Sequence, residues 1–149
     1  MDSVGARYTR GEEVANSLTH AFGLLLSLAG LTALVTAAAL RGGSVEIVSC
    51  GIYGTTLVVL YTTSTLYHSI PFAASKRVLR IFDHLAIFLL IAGTYTPFVL
   101  ISLHGAWGWT LFGIIWTLAA IGVAIELSQL RRFRRAMIAL YIAMGWVGL

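Results

Sequence analysis

The chain has 149 residues, 58% of them hydrophobic and only 11% charged, with a formal net charge of +4 and a mean hydropathy of +0.88. A soluble domain carries about a quarter charged residues, so this composition excludes one and leaves a polytopic helical membrane protein, each span needing about 20 apolar residues. The positive balance does not point to nucleic acid, because the basic residues sit in short clusters between apolar runs, as positive-inside loops do.

The first span is expected at 17–40. Asp2, Glu12 and Glu13 stand beside Arg7 and Arg10 before it, and the apolar run is longer than the core of a cleaved signal peptide, so none is expected. Asn16 or Ser17 is suited to cap this helix, with the acids favoured near its positive end. Ala29, Ala33 and Ala37 recur at four-residue spacing, as do Ala120 and Ala124 later in the chain, and small residues in that pattern predict helix-packing faces. Arg41-Gly42-Gly43-Ser44 makes a short turn. The second span, 46–68, holds the lone cysteine, Cys50. That count excludes an intrachain disulfide and a thiolate metal cluster; Cys50 reads as a packing residue. Ser69-Ile70-Pro71 breaks the helix, and 73–80 reads as a short basic connector.

The third span is expected at 81–103. Pro97 inside it predicts a kink, with Tyr95 and Thr96 placed to satisfy the backbone groups it frees. His104-Gly105-Ala106 is a tight, solvated loop. The fourth span, 107–127, opens with Trp107 and Trp109 at a membrane interface. Glu126 at its far end reads as interfacial, with a cavity-lining role as the alternative. The arginines of 131–135 are suited to anionic headgroups. A fifth apolar run, 136–149, has about 14 residues, or roughly 21 Å of helix against a 30 Å hydrocarbon core. The chain therefore reads as one all-α transmembrane domain over 1–149, with four full spans and a partial fifth. If the spans alternate, nine of the ten lysines and arginines fall on one side and only Arg41 on the other, which places the N-terminus in the cytoplasm.

Polar residues at the span ends carry the functional signal. Ionisable groups at a bilayer edge are costly and are functional candidates by default. Ser64 and His68 share one face of the second helix, with Gly54 and Tyr61 on the same stripe. Asp83 and His84 open the third span, and His20 lies near the start of the first. All fall within about two turns of one membrane face. An imidazole in such a place can bind a metal through one nitrogen while a second-shell acceptor holds the other. With Asp83 as acceptor or water-holding base, the matching metal is zinc. The bland reading stays open beside it: a histidine at a helix end satisfied by water or a backbone carbonyl. His84 points about 100° from Asp83, toward another helix or the headgroups.

Four motifs in order, Glu12-Glu13-Val14-Ala15-Asn16-Ser17-Leu18-Thr19-His20, Ser64-Thr65-Leu66-Tyr67-His68, Asp83-His84 and Gly93-Thr94-Tyr95-Thr96-Pro97-Phe98, resemble the hemolysin III family, the bacterial branch of the progestin and adipoQ receptor superfamily. The resemblance implies a seven-helix bundle, a cytoplasmic N-terminus in a bacterial-type plasma membrane, and a zinc site near the cytoplasmic face. It implies His68 as a zinc ligand, Asp83 holding a zinc-bound water, and Ser64 beside the metal. It also implies hydrolysis of a lipid amide, by likeness to alkaline ceramidases. The family draws its other two zinc histidines from a His-x-x-x-His motif in its last helix, and that motif is absent from this sequence. The chain is thus expected to be a fragment or a truncated product that binds zinc weakly or not at all. Two other functional classes stay open: a pore-forming or channel-like cytolytic protein, and a lipid-sensing receptor module without catalysis. Membrane lipids are the expected partners, and a homo-oligomer is open.

Overall fold

Helix α1 (Arg10–Arg41) begins about two turns before the expected span because Thr9 caps it. The Glu12 backbone N–H donates to Thr9 Oγ1 at 3.3 Å, and the Thr9 N–H donates to Glu12 Oε2 at 2.6 Å. This reciprocal capping box satisfies two otherwise orphaned donors and sets Glu12 and Glu13 in the first turn, where the helix dipole favours them. It corrects the expected cap at Asn16 or Ser17: both lie inside the helix, since the Thr9–Glu12 pair starts it earlier. At 32 residues, α1 is roughly 48 Å long, well beyond a 30 Å hydrocarbon core, so its first turns can carry charge.

The structure, a computed structural model, describes residues 8–128 and 134–147. The arginine cluster of 131–135 lies outside the described side chains. The described residues are helical and contain no strand. After the Gly42-Gly43 turn, where the Gly43 N–H donates to Glu46 Oε2 at 2.8 Å, come α2 (Ser44–Ser69) and α3 (Ala73–Pro97). A π-helical segment (Phe98–Leu103), α4 (Gly105–Leu127) and α5 (Arg134–Trp146) complete the order. Four helical stretches among the described residues are long and apolar enough to cross a membrane: 10–41, 44–69, 73–103 and 105–127. Met137–Trp146 is a shorter apolar helix. The basic segment 73–80 forms the first turns of α3 instead of a separate connector, which brings Lys76 onto a helix.

α1 lies along α2, α2 along α3 and α3 along α4, while α5 touches α3 and α4. The small residues that allow these approaches are mainly glycines. A Cβ at Gly54 would stand 2.4 Å from Leu31 Cδ1 of α1, one at Gly93 would stand 2.1 Å from Thr56 Oγ1 of α2, and one at Gly122 would stand 2.3 Å from Phe88 Cε1 of α3. The expected alanine faces are corrected here: Ala29, Ala33, Ala37, Ala120 and Ala124 are all exposed. Where a large side chain opposes the helix, even a methyl group is too much, so glycine holds the contact and the alanines turn outward. Gly122→Ala is therefore expected to destabilise the bundle by about 1–3 kcal/mol, the cost of overpacking a filled site. Thermal unfolding in detergent checks it; an unchanged midpoint would mean that α3 and α4 are not packed this closely.

Pro97 ends the α-helical part of α3, and the chain continues as the wider π-helical segment. Proline has no N–H to give the carbonyl four residues back, Gly93, and π-type widening is a recognised accommodation of a disturbed ladder. The Tyr95 and Thr96 hydroxyls do reach backbone carbonyls, but those of Gly145 and Ala92 instead of the Gly93 carbonyl that Pro97 frees. The Thr96 hydroxyl donates to the Ala92 carbonyl at 2.8 Å and accepts from Trp116 Nε1 at 3.1 Å. The Tyr95 hydroxyl donates to the Gly145 carbonyl of α5 at 3.0 Å. Both therefore tie α3 to its neighbours. The core comprises Phe88 and Ala92 of α3, Ile115 and Ala119 of α4, and Met144 of α5, with the Phe88 and Tyr141 rings stacked at 4.3 Å. Trp107 and Trp109 stay exposed at the start of α4.

Candidate functional site

The antiparallel order brings the start of α1, the end of α2, the start of α3 and the end of α4 to one end of the bundle. Polar side chains from all four helices meet there in two groups.

The first group is built around His68, the last basic residue of α2. Its Nδ1 lies 2.8 Å from Glu13 Oε2 of α1, and Glu13 Oε1 accepts from Lys76 Nζ of α3 at 2.5 Å. The His68 side chain is only 7% exposed. Its ring meets three others edge-on, with centroid separations of 4.8 Å to Tyr67, 5.5 Å to Tyr8 and 5.6 Å to His20. Lys76 Nζ also stands 5.1 Å over the Tyr67 ring, close enough for a cation–π contact. His20 is packed 5.9 Å from Tyr61. Its Nδ1 is buried without a hydrogen-bond partner among the described residues. Asp83 lies within electrostatic reach of that imidazole. Ser64 is buried one turn before His68. A hydroxyl pair, Ser17 Oγ and Ser69 Oγ at 2.6 Å, joins α1 to α2 beside the group.

The second group lies between α3, α4 and α5. His84 Nδ1 is 2.9 Å from Glu126 Oε1, and the Glu126 side chain is 14% exposed. The Tyr141 hydroxyl donates to the His84 carbonyl at 3.3 Å. Glu126 is thus paired and largely enclosed, which corrects its reading as an interfacial acid; the partner comes from a helix whose register the hydropathy pattern does not reveal. His84 faces α4, away from the His68 group.

Two charged participants were not singled out from sequence. Lys76 counted there only as a positive-inside charge. Glu13 counted as part of a motif and a helix start. A usable signal existed for Glu13: Glu13, His20 and Ser27 are seven apart, and that spacing puts them on one face of α1. Ser27 is indeed buried.

Chemically, the group offers an imidazole whose Nδ1 faces a carboxylate. That is the usual partner of the outer nitrogen of a metal-ligating histidine. The His20 ring lies beside it, 5.6 Å between centroids. A catalytic zinc site needs three protein ligands and an open position. Among the described residues, no three of His, Cys, Asp and Glu are grouped to hold one ion. The described residues thus do not by themselves make up a three-ligand zinc site.

Long apolar helices, with their buried ionisable groups gathered at one end, define a polytopic integral membrane protein with a polar site at that end. The profile of the haemolysin-III-related family matches residues 8–149, and the chain belongs to that family. It is 46% identical over 136 residues to "Hemolysin-3" of Bacillus cereus, covering 91% of this chain and 62% of that protein. It is 44% identical over 140 residues to "Hemolysin-3 homolog" of Bacillus subtilis (strain 168), covering 94% and 66%. The human "Monocyte to macrophage differentiation factor" is 25% identical over 140 residues, covering 91% and 58%. The chain spans about two thirds of the length of the bacterial relatives. No solved structure matches it. The family indicated by the four sequence motifs is the one these matches return.

Proposed function

We propose that this hemolysin III-like membrane protein uses the His68 group as its functional site, with the N-terminus and that end of the bundle facing the cytoplasm from a bacterial-type plasma membrane. In this reading His68 is the metal-facing imidazole, zinc is the metal, and the longer proteins of the family add the donors that complete the site. Hydrolysis of a lipid amide is the proposed activity of that complete form, with Asp83 and Ser64 beside the reacting group. The observation that carries the reading is the His68–Glu13 contact: a buried imidazole with its Nδ1 on a carboxylate has Nε2 left for a ligand. The orientation rests on the nine-to-one bias of basic residues. A lipid-sensing receptor would use the same group without catalysis. A pore draws less support, because the buried hydroxyls of Ser27 and Thr56 turn back to carbonyls of their own helices at 2.8 Å each.

For the 149-residue chain the expected result is no zinc binding or weak binding that dialysis removes, no efficient hydrolysis, and loss of any weak binding in His68→Ala. Metal analysis and zinc titration of the purified protein test it. Zinc binding that His68→Ala leaves unchanged would remove the metal reading. Stoichiometric zinc that survives dialysis would mean that His20, the histidine packed against His68, completes the site within this chain.

A further inference from the structure

We infer that Glu13, braced by Lys76, is a positioning residue that sets the tautomer and ring orientation of His68; its functional consequence rests on the reading of His68 given above, but its geometry does not. An ionised carboxylate only accepts hydrogen bonds, and a neutral imidazole carries one N–H. With Glu13 Oε2 at 2.8 Å from His68 Nδ1, the proton belongs on Nδ1 and the lone pair on Nε2. Glu13 cannot swing away freely, because Lys76 Nζ occupies its other oxygen at 2.5 Å and is itself placed over the Tyr67 ring. The order Lys76, Glu13, His68 therefore runs across α3, α1 and α2. The rings of Tyr8, Tyr67 and His20, all edge-on to His68, restrict its rotation. Each helix contributes one member, so the imidazole is oriented only when all three are packed. A glutamine at position 13 would keep the shape but lose the directive, since an amide donates as readily as it accepts.

The test is solid-state nitrogen NMR of the histidine-labelled 149-residue chain in lipid bilayers, at about pH 9, where unperturbed imidazoles are neutral. The spectrum of His68→Ala assigns the His68 signals among those of the four histidines. The wild-type chain is expected to show His68 as a single Nδ1–H tautomer, and Glu13→Gln a mixture. The exchange Glu13→Lys with Lys76→Glu keeps an ion pair between α1 and α3 but puts an ammonium donor against His68, so it is expected to abolish the Nδ1–H tautomer even if Glu13→Gln fails to fold. A wild-type His68 protonated on Nε2 would overturn the inference. So would an unchanged tautomer in these variants with only their thermal stability lowered, because that is what a purely structural Glu13 would give. Zinc titration of the same samples separates the two readings. A wild-type Nε2 signal indifferent to zinc removes the metal role and leaves the positioning role standing. A zinc-responsive His68 whose tautomer ignores Glu13 does the reverse.

Discussion

Phe88→Ala is expected to cost about 3 kcal/mol and to loosen α5 from the bundle. Truncating a buried phenylalanine costs about 3–5 kcal/mol in soluble cores. The lower end applies here because helices that separate in lipid meet hydrocarbon and not water, which removes most of the transfer penalty and leaves the cavity and lost packing. Phe88 is fully buried. It fills the space beside Gly122 and stacks on Tyr141 of α5. Losing the ring therefore opens the α3–α4 seam and removes the aromatic stack on α5, leaving Met144 with its apolar neighbours and the Tyr95–Gly145 and Tyr141–His84 hydrogen bonds. Phe88→Leu retains most of the volume and is expected to lose less than half as much. Thermal unfolding in detergent, followed by the near-ultraviolet signal of the tyrosines and tryptophans, reads both. Equal midpoints for Phe88→Ala and wild type would contradict the packing described.

The second large effect is expected at Glu13. Breaking a buried ion pair costs about 3–5 kcal/mol when one charge is left unpaired, whereas an exposed pair is worth under about 1 kcal/mol. The Glu13 and Lys76 side chains are 21% and 25% exposed, so Glu13→Ala is expected to fall between, at about 2 kcal/mol. Glu13→Lys is expected to be worse, because it sets two ammonium groups against each other where Glu13 joins α1 to α2 and α3. Adding Lys76→Glu to Glu13→Lys restores the opposite charges and is expected to recover most of the stability. A double-mutant cycle on the thermal midpoints measures the coupling; a coupling near zero would mean that the contact does not hold α1 to α3.

Hydropathy made the helices and their alternation legible, because a bilayer leaves few other ways to satisfy the backbone. It did not reveal which face of each helix turns inward. The alanine stripes followed a valid spacing rule yet face outward, since the rule marks where close approach is possible, not which helix approaches. Gly54, Gly93 and Gly122 are decided by the bulk of Leu31, Thr56 and Phe88 across the gap, and that information is nonlocal. The candidate site divides the same way. His20, Ser64, His68 and Asp83 stand out as polar residues at apolar boundaries. Glu13 and Lys76 do not, because charges just outside a span are ordinary. Only the fold reveals that they meet at His68. The His84–Glu126 pair was hidden for the same reason, since each residue alone looks like an interfacial group.

The proposed site lies at the cytoplasmic end of the bundle, and Lys76, hydrogen-bonded to Glu13 of the His68 group, reports its side directly. The measurement is labelling of Lys76→Cys by a membrane-impermeant maleimide, in a chain whose lone native cysteine is replaced by Cys50→Ala. The expected result is no labelling in intact cells and labelling once the cells are opened. Labelling of position 76 from outside intact cells would contradict that placement.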